Sequence, residues 1–264
     1  MFNDARLMNL SANLLILLVV LTVLAGIVFR LVHRPMFHLT QMRIAPAQDA
    51  TFRYASEQGV QSTIAGKLAG NFFTVDLQQV RALVETAPWV RRAQVRRVWP
   101  DALAVTIEEH VPLAFWNEDQ MINTWGEAFT ANQGELDDES ILPNLHGPEQ
   151  SEQLVVQRYA ELARRFAPLN LRIRQVILSP RYAWTVILSD GLQLNLGRDP
   201  AADAADLHGR PGALPFAERI ERFVRAWPLV RQRLAAHAVT RIDLRYPNGF
   251  AMTPASPTSA NTRL

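Results

Sequence analysis

Cysteine is absent from all 264 residues. No disulfide and no thiolate metal site is therefore available, and the fold does not depend on the redox state of its compartment. Lysine is almost absent too: Lys67 stands alone among 27 basic residues, so the cations are nearly all arginine. A genome-wide codon preference accounts for that more simply than selection for phosphate-binding forks. An excess of one charge is also missing. The formal net charge is +2, and although the pI is near 9.4, arginines and acids nearly balance. That excludes the strong cationic field of a nucleic-acid binder.

Catalytic signatures are missing as well. The six histidines (His33, His38, His110, His146, His208, His237) are scattered, and none sits in the His-Glu-x-x-His spacing that puts two imidazoles on one metal. There is no Gly-x-Ser-x-Gly elbow, no phosphate loop and no dinucleotide-binding glycine turn. Gly66-Lys67 lacks the glycine spacing and hydroxyl of a phosphate loop, and Lys67 lies in too polar a stretch to be a desolvated nucleophile. Glu108 and Glu109 are neighbours on a strand and point to opposite faces, which defeats a shared acid–base site unless a bulge intervenes. The reading is noncatalytic, with no cofactor, no metal and no small-molecule substrate.

What is present first is a hydrophobic run. Residues 14–29, LLILLVVLTVLAGIVF, carry no charge. Sixteen helical residues span about 24 Å, short of the roughly 30 Å hydrocarbon core, but Leu10 and Ser11 before them and Leu31 and Val32 beyond Arg30 complete a span. Arg30 reaches the headgroups. A signal peptide cleaved after Val23-Leu24-Ala25 is the alternative. Cleavage would leave the apolar stub GIVFRLV, so an uncleaved anchor fits better. Arg6 before the helix against Arg30 and Arg34 after it does not favour a cytoplasmic N-terminus by charge count. The size of the following domains does, because long domains translocate largely regardless of charge.

Beyond Pro35 the pattern reads as strand, helix, helix, strand, strand. FHLTQMRIAPA is a strand, residues 54–69 have helical spacing with Gly70-Asn71 as a stop, and Asp76 caps a second helix with Val80, Leu83 and Val84 on one face. Residues 89–98 and 102–109 form a hairpin around Trp99-Pro100-Asp101. Leu103, Val105 and Ile107 face one way, and Ala102, Ala104, Thr106 and Glu108 the other. Arg91, Arg92, Arg96 and Arg97 on the first strand read as a solvated face that blunts an edge, some pairing with opposite glutamates; a partner surface is the alternative.

From Pro112 the character shifts to strands. LAFWN and QMINTWGEAFT are strands, the second punctuated at Trp125-Gly126, and GELDDES is a polar loop whose Asp137, Asp138 and Glu139 are solvated rather than metal-binding. A helix spans 151–166 on the stripe Val155, Tyr159, Leu162, Phe166. Strands follow near 171–179, 182–189 and 192–196, with Asp190-Gly191 as a two-residue turn. A polar surface loop runs from 199 to 213. Ile220, Phe223, Val224 and Trp227 mark a last helix that Pro228 kinks or restarts, and VTRIDLRYPNGFAM supplies one or two strands.

The pieces GNFFTVDLQQVRALVETAPWVRRAQVRRVWPDALAVTIEEHVPLAFW, NTWGEAF, LQLNLGR, RIERFVRAWP and RIDLRYPNG, in this order, resemble the FtsQ/DivIB family of bacterial cell-division proteins from the anchor to about residue 254. The resemblance implies an α+β chain with a single transmembrane helix, a POTRA domain and a β-rich domain with flanking helices. The expected divisions are a short cytoplasmic segment at 1–12, the transmembrane helix at 13–33, the POTRA domain at 36–110, the FtsQ-type β domain at 111–254 and a disordered tail at 255–264. It further implies a scaffold of the inner membrane with its bulk in the periplasm, joined to FtsB and FtsL at the septum and to the septal synthase. In the family a segment of FtsB adds as a strand to the C-terminal region. Carried over, that surface is Tyr246, Asn248, Gly249, Phe250 and Met252, with a second contact at Arg181 and Tyr182. Pro247 then lies on the non-pairing side or marks a bulge. An ordinary cross-strand or core role for Tyr246 is the alternative. Two departures from the family stand out: the long 199–213 loop, and Thr253-Pro254 where an aromatic is sometimes found.

Two other readings compete. A POTRA protein of envelope translocation or secretion needs a downstream barrel, for which the residues after 110 are too few and too helical. A wall enzyme needs paired carboxylates about 5 to 10 Å apart.

Overall fold

The computed structural model describes residues 5–32, 37–47, 51–136, 142–199, 215–234, 239–246 and 248–254. The chain divides into two units, Met1–His110 and Val111–Leu264. The acidic triplet at 137–139, most of the 199–213 loop, Pro247 and the 255–264 tail lie outside the described residues.

The first unit begins with α1 (Ala5–Val32), whose apolar stretch Asn9–Val32 is 24 residues long. At 1.5 Å per residue that is about 36 Å, enough to cross a bilayer core. Its side chains from Asn9 to Leu31 are exposed; Leu14 is 64% and Phe29 66% exposed.

The rest of this unit is β1 (Gln41–Pro46), α2 (Glu57–Ile64), α3 (Leu77–Val84), β2 (Val90–Val98) and β3 (Ala102–Glu109). The sheet order is β1-β3-β2, with β1 parallel and β2 antiparallel to the central strand. Val60 and Ile64 of α2 and Val80 and Val84 of α3 close over Leu103, Val105 and Ile107 of β3. Burying each such side chain contributes roughly 1.5–3 kcal/mol. Asp76 caps α3, accepting from Gln78 N at 2.8 Å and Gln79 N at 3.3 Å. Such a cap is worth about 1 kcal/mol.

Two expectations shift. The helix read over 54–69 is only Glu57–Ile64, because Ser56 caps it by accepting from Gly59 N and Gly66, at φ +72°, turns the chain left-handed. The strand read from Trp89 begins at Val90. Trp89 sits at φ 65° with its ring buried and stacked on Tyr54 at 4.5 Å, while its carbonyl accepts from His110 N. A left-handed tryptophan costs about 1–3 kcal/mol, offset here by the burial of a large ring.

The four arginines take three roles. Arg91 is nearly buried and bonds Glu108 at 2.6 Å. Arg97 donates to the carbonyls of Phe72 and Val75, both at 2.7 Å. Arg92 and Arg96 are exposed. The surface reading holds for Arg92 and Arg96 and the expected pairing with an opposite glutamate for Arg91, whereas Arg97 staples the sheet to the Phe72–Val75 segment.

The second unit contains β4 (Pro112–Trp116), β5 (Gln120–Asn123), β6 (Ala128–Phe129), β7 (Asn144–His146), α4 (Glu152–Phe166), β8 (Ile173–Leu178), β9 (Ala183–Leu188), β10 (Gln193–Arg198), α5 (Phe216–Leu234), β11 (Val239–Asp243) and β12 (Ala251–Pro254). They form one sheet in the order β12-β11-β10-β9-β8-β7-β4-β5-β6. The pairs β7–β8 and β10–β11 are parallel, and parallel neighbours need a long crossover. The helices α4 and α5 are those crossovers. Their apolar stripes, Val155, Leu162 and Phe166 with Ile220, Phe223 and Trp227, bury against Val176, Val186 and Leu194 of the sheet. Pro228 lies inside an unbroken α5. The short strand β7 carries too few residues to show a period, and no sequence expectation covered it.

Candidate functional site

The sheet ends at β12. Its four residues, Ala251 to Pro254, are all exposed, and it pairs only inward, antiparallel to β11 in the register Asp243↔Ala251, Ile242↔Met252 and Arg241↔Thr253. Among the described residues no strand covers its outer side. An uncovered edge offers main-chain amides and carbonyls to an incoming strand, and natural edges are kept short or ended by proline to limit that. Here Pro254 closes the edge and removes one donor.

The residues read from the sequence separate by direction. Tyr246 is 54% and Met252 41% exposed, and Asn248 is exposed. Tyr246 therefore belongs to neither core cluster of the molecule. Phe250 turns inward, its ring edge-on to Phe223 of α5 at 6.0 Å. Gly249 has open space where a Cβ would stand. Arg181 and Tyr182 lie on the β8–β9 turn, both exposed, with Tyr182 at φ 56° and its N–H donating to Ser179 O at 2.8 Å.

Topology gathers the two groups at one end of the sheet. Ala183 pairs with Arg198 at the end of β10, and Asn195 of β10 pairs with Asp243 at the end of β11. The turn bearing Tyr182 and the segment bearing Tyr246 thus leave the same end, two strand widths apart, about 10 Å.

Sequence reasoning missed what holds this end in place. Arg222 of α5 donates from Nη2 to the carbonyls of Tyr246 at 2.7 Å and Gly249 at 2.9 Å. Arg219, one turn earlier and buried, donates to Leu196 O at 2.7 Å and Arg198 O at 2.6 Å. Burial lowers the Arg219 pKa and the charge of Asp199 opposes that. The one sequence signal was the spacing of three between Arg219, Arg222 and Arg225 beside the apolar stripe.

Asp243 and Arg245 form a two-pronged pair, Nε to Oδ1 at 2.9 Å and Nη2 to Oδ2 at 2.6 Å. That hydrogen bonding holds the Asp243 carboxyl below its usual range. The stem of Arg245 crosses Gly197, whose φ of +76° accompanies a register shift in β10; a Cβ there would meet Arg245 Cγ at 2.8 Å. Asp199, read as the start of a surface loop, is itself buried. It pairs with Arg158, whose guanidinium lies 4.5 Å from the Phe216 ring and 5.3 Å from that of Trp184. The carboxylates near the edge are thus engaged by arginines and hold structure, and among the described residues no group of three metal-ligating side chains converges.

Comparison with known proteins matches this architecture unit by unit. Residues 51–110 match the family described as POTRA domain, FtsQ-type, and residues 114–245 match Cell division protein FtsQ/DivIB, C-terminal. Cell division protein FtsQ of Bordetella pertussis is 57% identical over 96% of this chain and 92% of its own length. That of Burkholderia pseudomallei is 47% identical over 97% and 95%. The Escherichia coli protein of the same name is 30% identical over 73% of this chain and 64% of its own.

Proposed function

The chain belongs to the FtsQ/DivIB family of noncatalytic cell-division proteins, components of the divisome, and from that premise we propose that it is a membrane-anchored scaffold that captures its partner by strand addition. In this reading α1 holds the protein in the inner membrane at the septum, residues 1–12 face the cytoplasm and both folded units face the periplasm. FtsB adds a strand to β12, FtsL joins through the same complex, and the septal synthase is recruited in turn.

One observation carries the proposal: a short, fully exposed edge strand flanked by the outward Tyr246 and Met252 and braced from behind by Arg222. An added strand gains main-chain hydrogen bonds from the edge and selectivity from alternate side chains. Arg181, exposed at the same end of the sheet, supplies a cation for an acidic residue on the incoming segment.

The test is binding of the full chain in detergent to the periplasmic segment of its FtsB. The parent is compared with a chain ending at Phe250, which lacks β12, and with Tyr246→Ala, each checked by thermal melting. The proposal expects loss of binding on truncation and at least about tenfold weakening for Tyr246→Ala with its melt unchanged. Undiminished binding by the folded truncation would overturn it.

A further inference from the structure

The first unit exposes large apolar side chains at the end that faces its own helix. Trp99, at the tip of the β2–β3 hairpin, is 74% exposed, Phe73 47% and Leu68 37%. A soluble surface tolerates single exposed side chains, but two large exposed aromatics on one small unit call for an environment. Phe73 is held in place by its neighbours rather than splayed at random: its ring meets Phe37 at 4.9 Å and Phe72 at 5.3 Å, both edge-on.

The position of this end along the membrane normal follows from hydrogen bonds. Asn71 Nδ2 donates to the carbonyl of Val32, the last residue of α1, at 2.8 Å. Phe72 N donates to Phe37 O at 2.9 Å, and Arg97 Nε donates to Phe72 O at 2.7 Å. The hairpin tip is tied to the same entry segment, Thr40 N donating to Asp101 O at 3.0 Å and the Thr40 hydroxyl to the Asp101 carboxylate. The 24-residue span Asn9–Val32 is about 36 Å long, more than the hydrocarbon thickness, so Val32 stands at or just beyond its outer boundary. Phe73 follows Asn71 by two residues and Trp99 follows Arg97 by two. Both aromatics are therefore within two residues of groups in the network that ties this end to Val32, and tryptophan and other amphipathic rings concentrate at headgroup level.

The charges around them suit the same surroundings. Lys67, Arg96 and Arg30 are exposed nearby in the chain. The acids at this end are engaged, Asp101 by Thr40 and Asp76 by the amides that it caps.

We infer that Trp99, Phe73 and Leu68 form a membrane-docking foot that inserts into the lipid–water interface and fixes the tilt of the first unit against the bilayer, an inference that rests on α1 crossing the membrane. The occupant is the phospholipid interface itself, because the foot is continuous with the helix that leaves it.

Because the chain lacks cysteine, single cysteines can carry a nitroxide. The full chain is placed in nanodiscs of phosphatidylethanolamine and phosphatidylglycerol, and relaxation by oxygen and by a water-soluble nickel chelate is read at Phe73→Cys, Trp99→Cys, Leu24→Cys and Leu229→Cys. The foot predicts that probes at 73 and 99 are shielded from nickel several-fold more than the one at 229. A probe at Leu68→Cys should lose its shielding when Phe73 and Trp99 are both changed to serine. Shielding at 24 with nickel access at 73 and 99 equal to that at 229 would overturn the foot alone. Nickel access at 24 would overturn the membrane-spanning reading beneath it.

Discussion

The guanidinium of Arg222, on α5, donates to the main-chain carbonyl of Tyr246 at 2.7 Å. The same Nη2 also reaches Gly249 O, so one side chain spans the turn between the last two strands. Arg222→Ala removes both charge-assisted bonds. The expected cost is about 1–2 kcal/mol in denaturant unfolding of the second unit, with weaker partner binding. Arg222→Lys recovers only part, since the ammonium stands one bond short of the Nη2 position on a more flexible stem.

A second prediction concerns Glu109, whose carboxylate accepts from the backbone amides of Arg53, Tyr54 and Ala55 at 3.0, 2.9 and 2.6 Å. It ties the segment before α2 to the end of β3. Glu109→Ala leaves three amides without that acceptor, and a loss of about 2–3 kcal/mol is expected in the unfolding of the first unit. The transition of the second unit should be unchanged.

A third concerns acid. The hydrogen bonds from Arg245 depress the pKa of Asp243 from the ordinary 3.8. A carboxylate depressed in the folded state adds stability that is complete above the unfolded pKa and is lost as pH falls through the folded one. The difference in unfolding free energy between the parent and Asp243→Asn should be constant near neutrality and shrink below about pH 4. A difference that stays constant to pH 2 would remove the pair as its source.

Gly197 supplies a fourth. Its φ of +76° and the approach of Arg245 leave no room for a Cβ. Gly197→Ala is expected to destabilise the second unit by about 1–3 kcal/mol and to shift the segment that carries Tyr246. Both effects are readable by thermal melting and by partner affinity.

Much of the fold was legible because burial follows period. Leu103, Val105 and Ile107 alternate and are buried; Val80 and Val84 recur at helical spacing after the Asp76 cap; the turn between β9 and β10 falls where Asp190-Gly191 marks it, one residue longer than expected because Ser189 joins it between the paired Leu188 and Leu192. What stayed hidden depends on long-range contact. Arg91, Arg92, Arg96 and Arg97 are one residue type within seven positions, yet an ion pair, two exposed side chains and a carbonyl staple result. Pairing with an opposite glutamate was legible in the hairpin, but nothing local says that Arg91 makes it, with Glu108, while Arg97 turns to the Phe72–Val75 segment. Trp89 as a left-handed residue and the three-residue β7 were invisible for the same reason.

At the candidate site the sequence named residues but could not give the direction in which each side chain turns. Tyr246 and Met252 face outward, whereas Phe250, two residues before Met252, is held inward by Phe223. The spacing of Arg219, Arg222 and Arg225 marks a basic stripe but not its acceptors, since Tyr246 and Gly249 lie 24 and 27 residues beyond Arg222.

The most direct test of the strand-addition account is amide hydrogen exchange of the full chain with and without the periplasmic segment of FtsB. The account predicts that binding slows exchange in Ala251–Thr253 and in the turn around Tyr246, while the amides of β1 and β2 are unchanged. Protection confined to the first unit, with β12 exchanging as fast as in the free chain, would contradict it.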